Sequence, residues 1–101
     1  MSTECKLHII KDNEQEVTLF MSHDGFPRNI GGLIKPLLQE SKSPEQFLWN
    51  LLSCGFEPEY CYEYGETDFE YYIFPELKQV SFKKYKTPDV VQLDLENLDK
   101  Y

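Results

Sequence analysis

Apolar residues recur at every second position near both ends of this chain and at every third or fourth position between them. That switch of period restricts the fold to strands, then helices, then strands, because a pleated strand repeats its faces every two residues and a helix every 3.6. Cys5, Leu7 and Ile9 alternate with Lys6, His8 and Ile10, and Val17, Leu19 and Met21 alternate with Thr18, Phe20 and Ser22. The polar segment from Lys11 to Glu16 is too short for a crossover, so the two strands form an antiparallel hairpin.

The helical period begins at Ile30 and continues through Leu33, Ile34, Leu37 and Leu38. Pro36 interrupts it, and an interior proline both removes a backbone hydrogen bond and crowds the preceding turn. The pattern therefore predicts a helix that starts late, near Leu33, or one that kinks. The next helix carries clear boundary chemistry: Ser43 as N-cap, Pro44 at the first helical position, Gln46 to close a capping box and Gly55 beyond the end. Phe47, Leu48, Leu51 and Leu52 form its inner face, with Trp49 and Cys54 toward the flanks.

Period two then returns at Tyr60, Tyr62 and Tyr64, at Phe69, Tyr71 and Ile73, and at Val80 and Phe82, separated by turns at Gly65-Glu66-Thr67 and Pro75-Glu76. These connections predict an antiparallel meander. The expected fold is α+β, a small antiparallel sheet in the order ββααβββ with two short helices packed on one face. Residues 1–86 form the domain, and 87–101 are an acidic and apolar extension whose Val90, Val91, Leu93, Leu95 and Leu98 fit an edge strand, a short helix or a partner-binding segment.

Charge narrows the function. The formal net charge is −8, which opposes direct binding to nucleic-acid backbones because phosphate contacts need clustered Lys and Arg. Between Lys42 and Lys78 there is no basic residue, whereas Glu45, Glu57, Glu59, Glu63, Glu66, Asp68, Glu70 and Glu76 all fall there. A strongly negative surface follows, and it fits a basic protein partner. Within it, Glu59, Glu63 and Glu70 alternate with aromatic residues and should point to water, with Glu66 and Asp68 at the turn. The Tyr60, Tyr62, Tyr64, Tyr71 and Tyr72 rings could stack bases, but no basic residues surround them, so core and cross-strand pairing is their expected use.

Three cysteines, Cys5, Cys54 and Cys61, without a close-spaced pair suit a reducing, cytoplasmic setting better than a disulfide framework. Together with His8 and His23 they supply zinc-ligand types but not zinc-ligand spacing, so no metal and no cofactor is expected. The residues after Met1 are polar and no long apolar run follows, which predicts neither a leader nor a membrane span.

One passage could bind a ligand. His23 beside Asp24 supplies a titratable group and a carboxylate, and Arg28 followed by Gly31 and Gly32 could cradle an anion at a helix start. Asp24-Gly25 is also a standard turn signal that places positive φ at Gly25. The sequence His23-Asp24-Gly25-Phe26-Pro27 with Gly31 and Gly32 resembles a group of small uncharacterised bacterial and phage proteins that have a strand, a His-Asp-Gly-Tyr-Pro-like turn, a spaced glycine and a helix. The likeness runs from Val17 to Leu38, with Phe26 where tyrosine is usual and a loosely similar tyrosine-rich strand pair afterwards. It implies the strand–turn–helix order and a mobile-element origin, and transfers no catalytic residue. The expected function is that of a non-enzymatic, phage-encoded interaction protein that binds a basic surface and inhibits a nucleic-acid-binding partner. The alternative is a small enzyme or anion- or nucleotide-binding module built on the turn and Arg28.

Overall fold

The computed structural model describes residues 3–12, 15–21, 24–53 and 67–93. Along the chain run β1 (Cys5–Lys11), β2 (Gln15–Met21), α1 (Pro27–Glu40), α2 (Pro44–Ser53), β3 (Phe69–Phe74), β4 (Gln79–Lys84) and β5 (Val90–Leu93). The protein is α+β, with a five-stranded sheet in the order β2-β1-β3-β4-β5.

That sheet is mixed, which corrects the expectation of an antiparallel one. β1 pairs with β2 in antiparallel fashion, with Leu7 opposite Leu19, but it pairs with β3 in parallel, with Leu7 opposite Tyr71. The helices return the chain to the starting end of β1, so β3 runs alongside β1 rather than against it. Among the described residues the antiparallel meander runs from β3 onward, where Tyr71 faces Phe82 and Val80 faces Leu93. Its third strand, β5, comes from residues assigned on sequence to the extension, and the edge-strand form holds for Val90–Leu93. The strand expected at Tyr60, Tyr62 and Tyr64, the helix cap at Gly55 and the rest of the extension lie outside the described residues.

The core sits on one face of the sheet. Cys5, Leu7, Ile9, Phe69, Tyr71, Ile73, Val80, Phe82 and Leu93 pack there with Ile30, Ile34 and Leu38 of α1 and Phe47 and Leu51 of α2. Alternation therefore reads correctly, and both helices cover the same face. Phe20 departs from it: it lies on the opposite face, paired with Lys6, yet is 1% exposed.

Helix α1 starts earlier than its apolar stripe. Pro27 takes the first position, where a missing N–H costs nothing, and Phe26 precedes it in extended conformation. Pro36 lies within the helix on an exposed position, so its ring meets solvent rather than the core. The C-terminal carbonyls find unusual partners. Ser41 Oγ donates to the carbonyl of Leu37 at 2.5 Å, and Lys78 Nζ, from the β3–β4 turn, donates to the carbonyls of Leu38 at 2.5 Å and Ser41 at 3.0 Å. A cation at this end also complements the helix dipole. Helix α2 begins as its sequence predicts, with Gln46 N–H donating to Ser43 Oγ at 3.1 Å. The Gln46 side chain accepts from the Lys42 N–H at 2.7 Å, one residue before the N-cap.

Burial at the centre of the sheet has a consequence for alkaline stability. Burial pushes the Cys5 thiol up from 9.0 to about 12 and raises the Tyr71 phenol as well. A group whose folded pKa is raised contributes its full stability below the unfolded value and loses it as pH climbs toward the folded one. Between pH 8 and 10.5 the Cys5 contribution should fall by about 2 kcal/mol. Urea denaturation at both pH values should show the wild type losing that much more than Cys5→Ala, and equal losses would contradict the buried thiol.

Candidate functional site

The turn before α1 is built from three parts of the chain. Asp24 has φ 60, a left-handed conformation that aspartate tolerates better than most residues. The positive φ expected at Gly25 therefore sits one residue earlier. Gly25 is required for a different reason: a Cβ there would lie 2.9 Å from Cys5 Cβ and 2.9 Å from the Thr3 carbonyl oxygen. Both backbone groups of Gly25 are engaged. Its N–H donates to the Thr3 carbonyl at 3.0 Å, and its carbonyl accepts from the Tyr71 hydroxyl at 2.5 Å. The turn is thus docked on the start of β1 and pinned from below by β3.

This arrangement leaves little of an anion cradle. Gly31 and Gly32 lie in the second turn of α1 rather than at its start, where amide N–H groups point to carbonyls four residues back. Arg28 is exposed on the first turn. His23 lies outside the described residues, and Asp24 is exposed.

The acidic candidates divide. Glu59, Glu63 and Glu66 lie outside the described residues. Asp68 accepts a hydrogen bond from the Glu4 N–H at 2.9 Å, which ties the start of β3 to that of β1. Glu70 is not the solvated carboxylate its alternation with Tyr71 suggested. Its Oε1 lies 3.1 Å from His8 Nε2, with side-chain exposures of 27% for Glu70 and 13% for His8. Register sets it between Lys6 on β1 and Lys83 on β4.

Around His8 the second face of the sheet carries a polar cluster that sequence reasoning did not find. His8 Nδ1 lies 3.1 Å from Thr18 Oγ1, and the His8 ring stacks on Tyr72 at 5.0 Å between centroids. Because a carboxylate only accepts, Nε2 of a neutral His8 carries the proton toward Glu70 and Nδ1 accepts from the Thr18 hydroxyl. The order hydroxyl, imidazole, carboxylate is that of a nucleophile triad. The amides of β1 are committed to ladders on both sides, and those of β2, at the sheet edge, pair on one side only. The cluster's evident physical role is to tie β2, β1 and β3 together. Only the polar alternation at His8 signals it in the sequence, since Glu70 reaches His8 through a parallel pairing that local pattern does not reveal.

Cys5 and His8 project to opposite faces of β1, and among the described residues no three His, Cys, Asp or Glu side chains converge on a possible metal. No described helix is long and apolar enough to cross a membrane. No protein-family model matches the chain, and no curated protein or solved structure matches it significantly.

Two glycine substitutions test the geometry of the turn and its helix. Gly25→Ala should destabilise by about 1–3 kcal/mol, because its Cβ meets backbone that cannot easily move. Gly32→Ala meets nothing within 4 Å and should stabilise α1 by about 0.5–1 kcal/mol. Urea midpoints for both variants provide the check; a neutral Gly25→Ala would mean that the turn does not dock on β1.

Proposed function

We propose that the protein is a non-enzymatic interaction protein that engages a basic protein surface through its glutamate-rich segment. The observation that carries this reading is where the charge lies. The described residues hold nine of the ten Lys and Arg and ten of the 18 Asp and Glu, so they are almost balanced. Nearly all of the −8 excess belongs to the other segments, and 54–66 alone contributes Glu57, Glu59, Glu63 and Glu66 with no basic residue. Concentrated charge of one sign beside a balanced body steers a partner of opposite sign and orients it.

In this reading the partner is a nucleic-acid-binding protein, the acidic segment occupies its phosphate site, and the protein acts as an inhibitor encoded by a phage and working in the host cytoplasm. Engagement of both backbone groups of Gly25, and the placement of Gly31 and Gly32 within α1, favour a structural use of the turn over the ligand-binding alternative. Glu70 and Asp68 support the fold, which leaves Glu59, Glu63 and Glu66 to contact the partner.

The test begins with the partner captured from the host by affinity purification. Replacing Glu59, Glu63 and Glu66 by Lys should weaken its binding more than tenfold while changing the unfolding free energy by less than about 0.5 kcal/mol, as is usual for exposed substitutions. Wild-type binding should fall steeply as salt rises, since exposed charges are screened over about 8 Å at physiological ionic strength. Binding that survives the reversals but is lost in His23→Ala with Arg28→Ala would assign function to the turn instead.

A further inference from the structure

Three lysines converge at one end of the β3–β4 pair. Lys83, Lys84 and Lys86 line a small pocket of about 30 Å³ together with Thr67, Glu70 and Tyr85. Lys83 and Lys84 leave β4 on opposite faces, but Lys84 is the last residue of that strand, and past the end of the sheet both border the same space. A water occupies roughly 10–15 Å³ on this scale. The pocket therefore has room for two or three oxygen atoms of a small ligand.

These ammonium groups are uncommitted in a chain whose acids outnumber its bases. Lys11 pairs with Glu45 and Lys78 donates to carbonyls at the end of α1, whereas none of Lys83, Lys84 and Lys86 has a carboxylate within ion-pair distance among the described residues. Glu70 lies directly opposite Lys83 in the sheet, yet its Oε1 is turned to His8 Nε2. Lys86 has φ 63, a left-handed conformation that is costly for lysine and that collects at binding sites. Its Nζ lies 5.4 Å from the centroid of the Tyr85 ring, which lines the same pocket. The turn that carries these residues is tied down: the Tyr85 N–H donates to the Asp68 carbonyl at 2.8 Å, and the Thr87 N–H and Oγ1 donate to the Lys84 carbonyl at 3.0 and 2.6 Å.

The acceptors narrow the ligand. Three ammonium groups and one carboxylate leave the lining with a charge of +2, which a dianion neutralises. Thr67 Oγ1 spends its proton on the Phe69 carbonyl at 2.7 Å, so it offers the pocket a lone pair only, and the Glu70 carboxylate likewise only accepts. A ligand matched to both must carry a hydroxyl as well as two negative charges. Monohydrogen phosphate has both, whereas sulfate has the charge without the proton. We propose that this pocket binds inorganic phosphate as its monohydrogen dianion, with the three ammonium groups on its unprotonated oxygens and Glu70 Oε2 accepting from its hydroxyl. The site uses no residue of segment 54–66 and none of the turn before α1, and it stands independently of the function proposed above.

The experiment titrates sodium phosphate into the full-length isotope-labelled protein at neutral pH, with sodium chloride lowered to hold ionic strength constant. Saturation in the millimolar range is expected, with amide shifts concentrated at residues 67–70 and 83–87. Sulfate should bind about tenfold more weakly, because it sets an oxygen without a proton against Glu70. Glu70→Gln should bring sulfate up to the affinity of phosphate. Replacing both Lys84 and Lys86 by Gln should abolish saturation without unfolding the protein, since both side chains are exposed. Lys42→Gln, an exposed lysine outside the pocket, should leave binding unchanged. Shifts that never saturate, shifts centred on Arg28 and the start of α1, or unchanged affinity in the double lysine variant would each overturn the proposal. Equal binding of sulfate and phosphate by the wild type would overturn the selection of monohydrogen phosphate.

Discussion

The hydrogen bond from the buried Tyr71 hydroxyl to the Gly25 carbonyl joins the parts of this fold that sequence order keeps apart. Tyr71 sits on the central strand β3 at 1% exposure, and Gly25 is the residue from which the chain turns into α1. With the Gly25 N–H held by Thr3, the start of β1, the end of the β2–α1 connection and the middle of β3 meet at one point. The parallel β1–β3 pairing brings Tyr71 to that point, and the absence of a Cβ at Gly25 lets the turn approach Cys5 closely enough to be reached. Loss of a bond like this leaves a buried carbonyl unsatisfied, at a cost of about 1–3 kcal/mol. The direction in which α1 leaves the sheet, and hence the way its Ile30, Ile34 and Leu38 enter the core, depends on it.

Elements whose signals are local were legible in the sequence. Alternation located β1, β2, β3 and β4 and identified their inward residues, and Ser43, Pro44 and Gln46 marked the start of α2. Strand neighbours were less legible, because period two tells which residues share a face and says nothing about which strand lies alongside. A parallel partner for β1 depends on how two helices return the chain, which no short window contains. The start of α1 was misread for a related reason. Pro27 fits a first helical turn as well as it fits a loop, and Pro36 is tolerated inside the helix because its position faces solvent.

The same limit governs the candidate site. Glu70 was assigned to water because it alternates with Tyr71, yet the second face of the sheet is not uniformly solvated. His8 and Glu70 are half-buried on it, and Phe20 is buried there altogether. Alternation separates two faces without showing what covers either. At the turn, Asp24-Gly25 was correctly read as a change of chain direction, but the residue with positive φ is Asp24, and the glycine is required by close packing that only the tertiary structure creates. In the proposed reading, recognition falls to the glutamate-rich segment.

Replacing Tyr71 by Phe and following amide hydrogen exchange tests the central claim most directly, because this change removes a single hydroxyl and leaves the ring in the core. If the Tyr71–Gly25 bond anchors the entry to α1, the protein should lose about 1–3 kcal/mol of stability. The largest gain in exchange should then fall at Gly25 and the first turns of α1, with the β1 and β3 amides protected to the global limit. Unchanged stability, with exchange at Gly25 and α1 like that of the wild type, would show that the turn is held by other contacts and that this bond does not organise the fold.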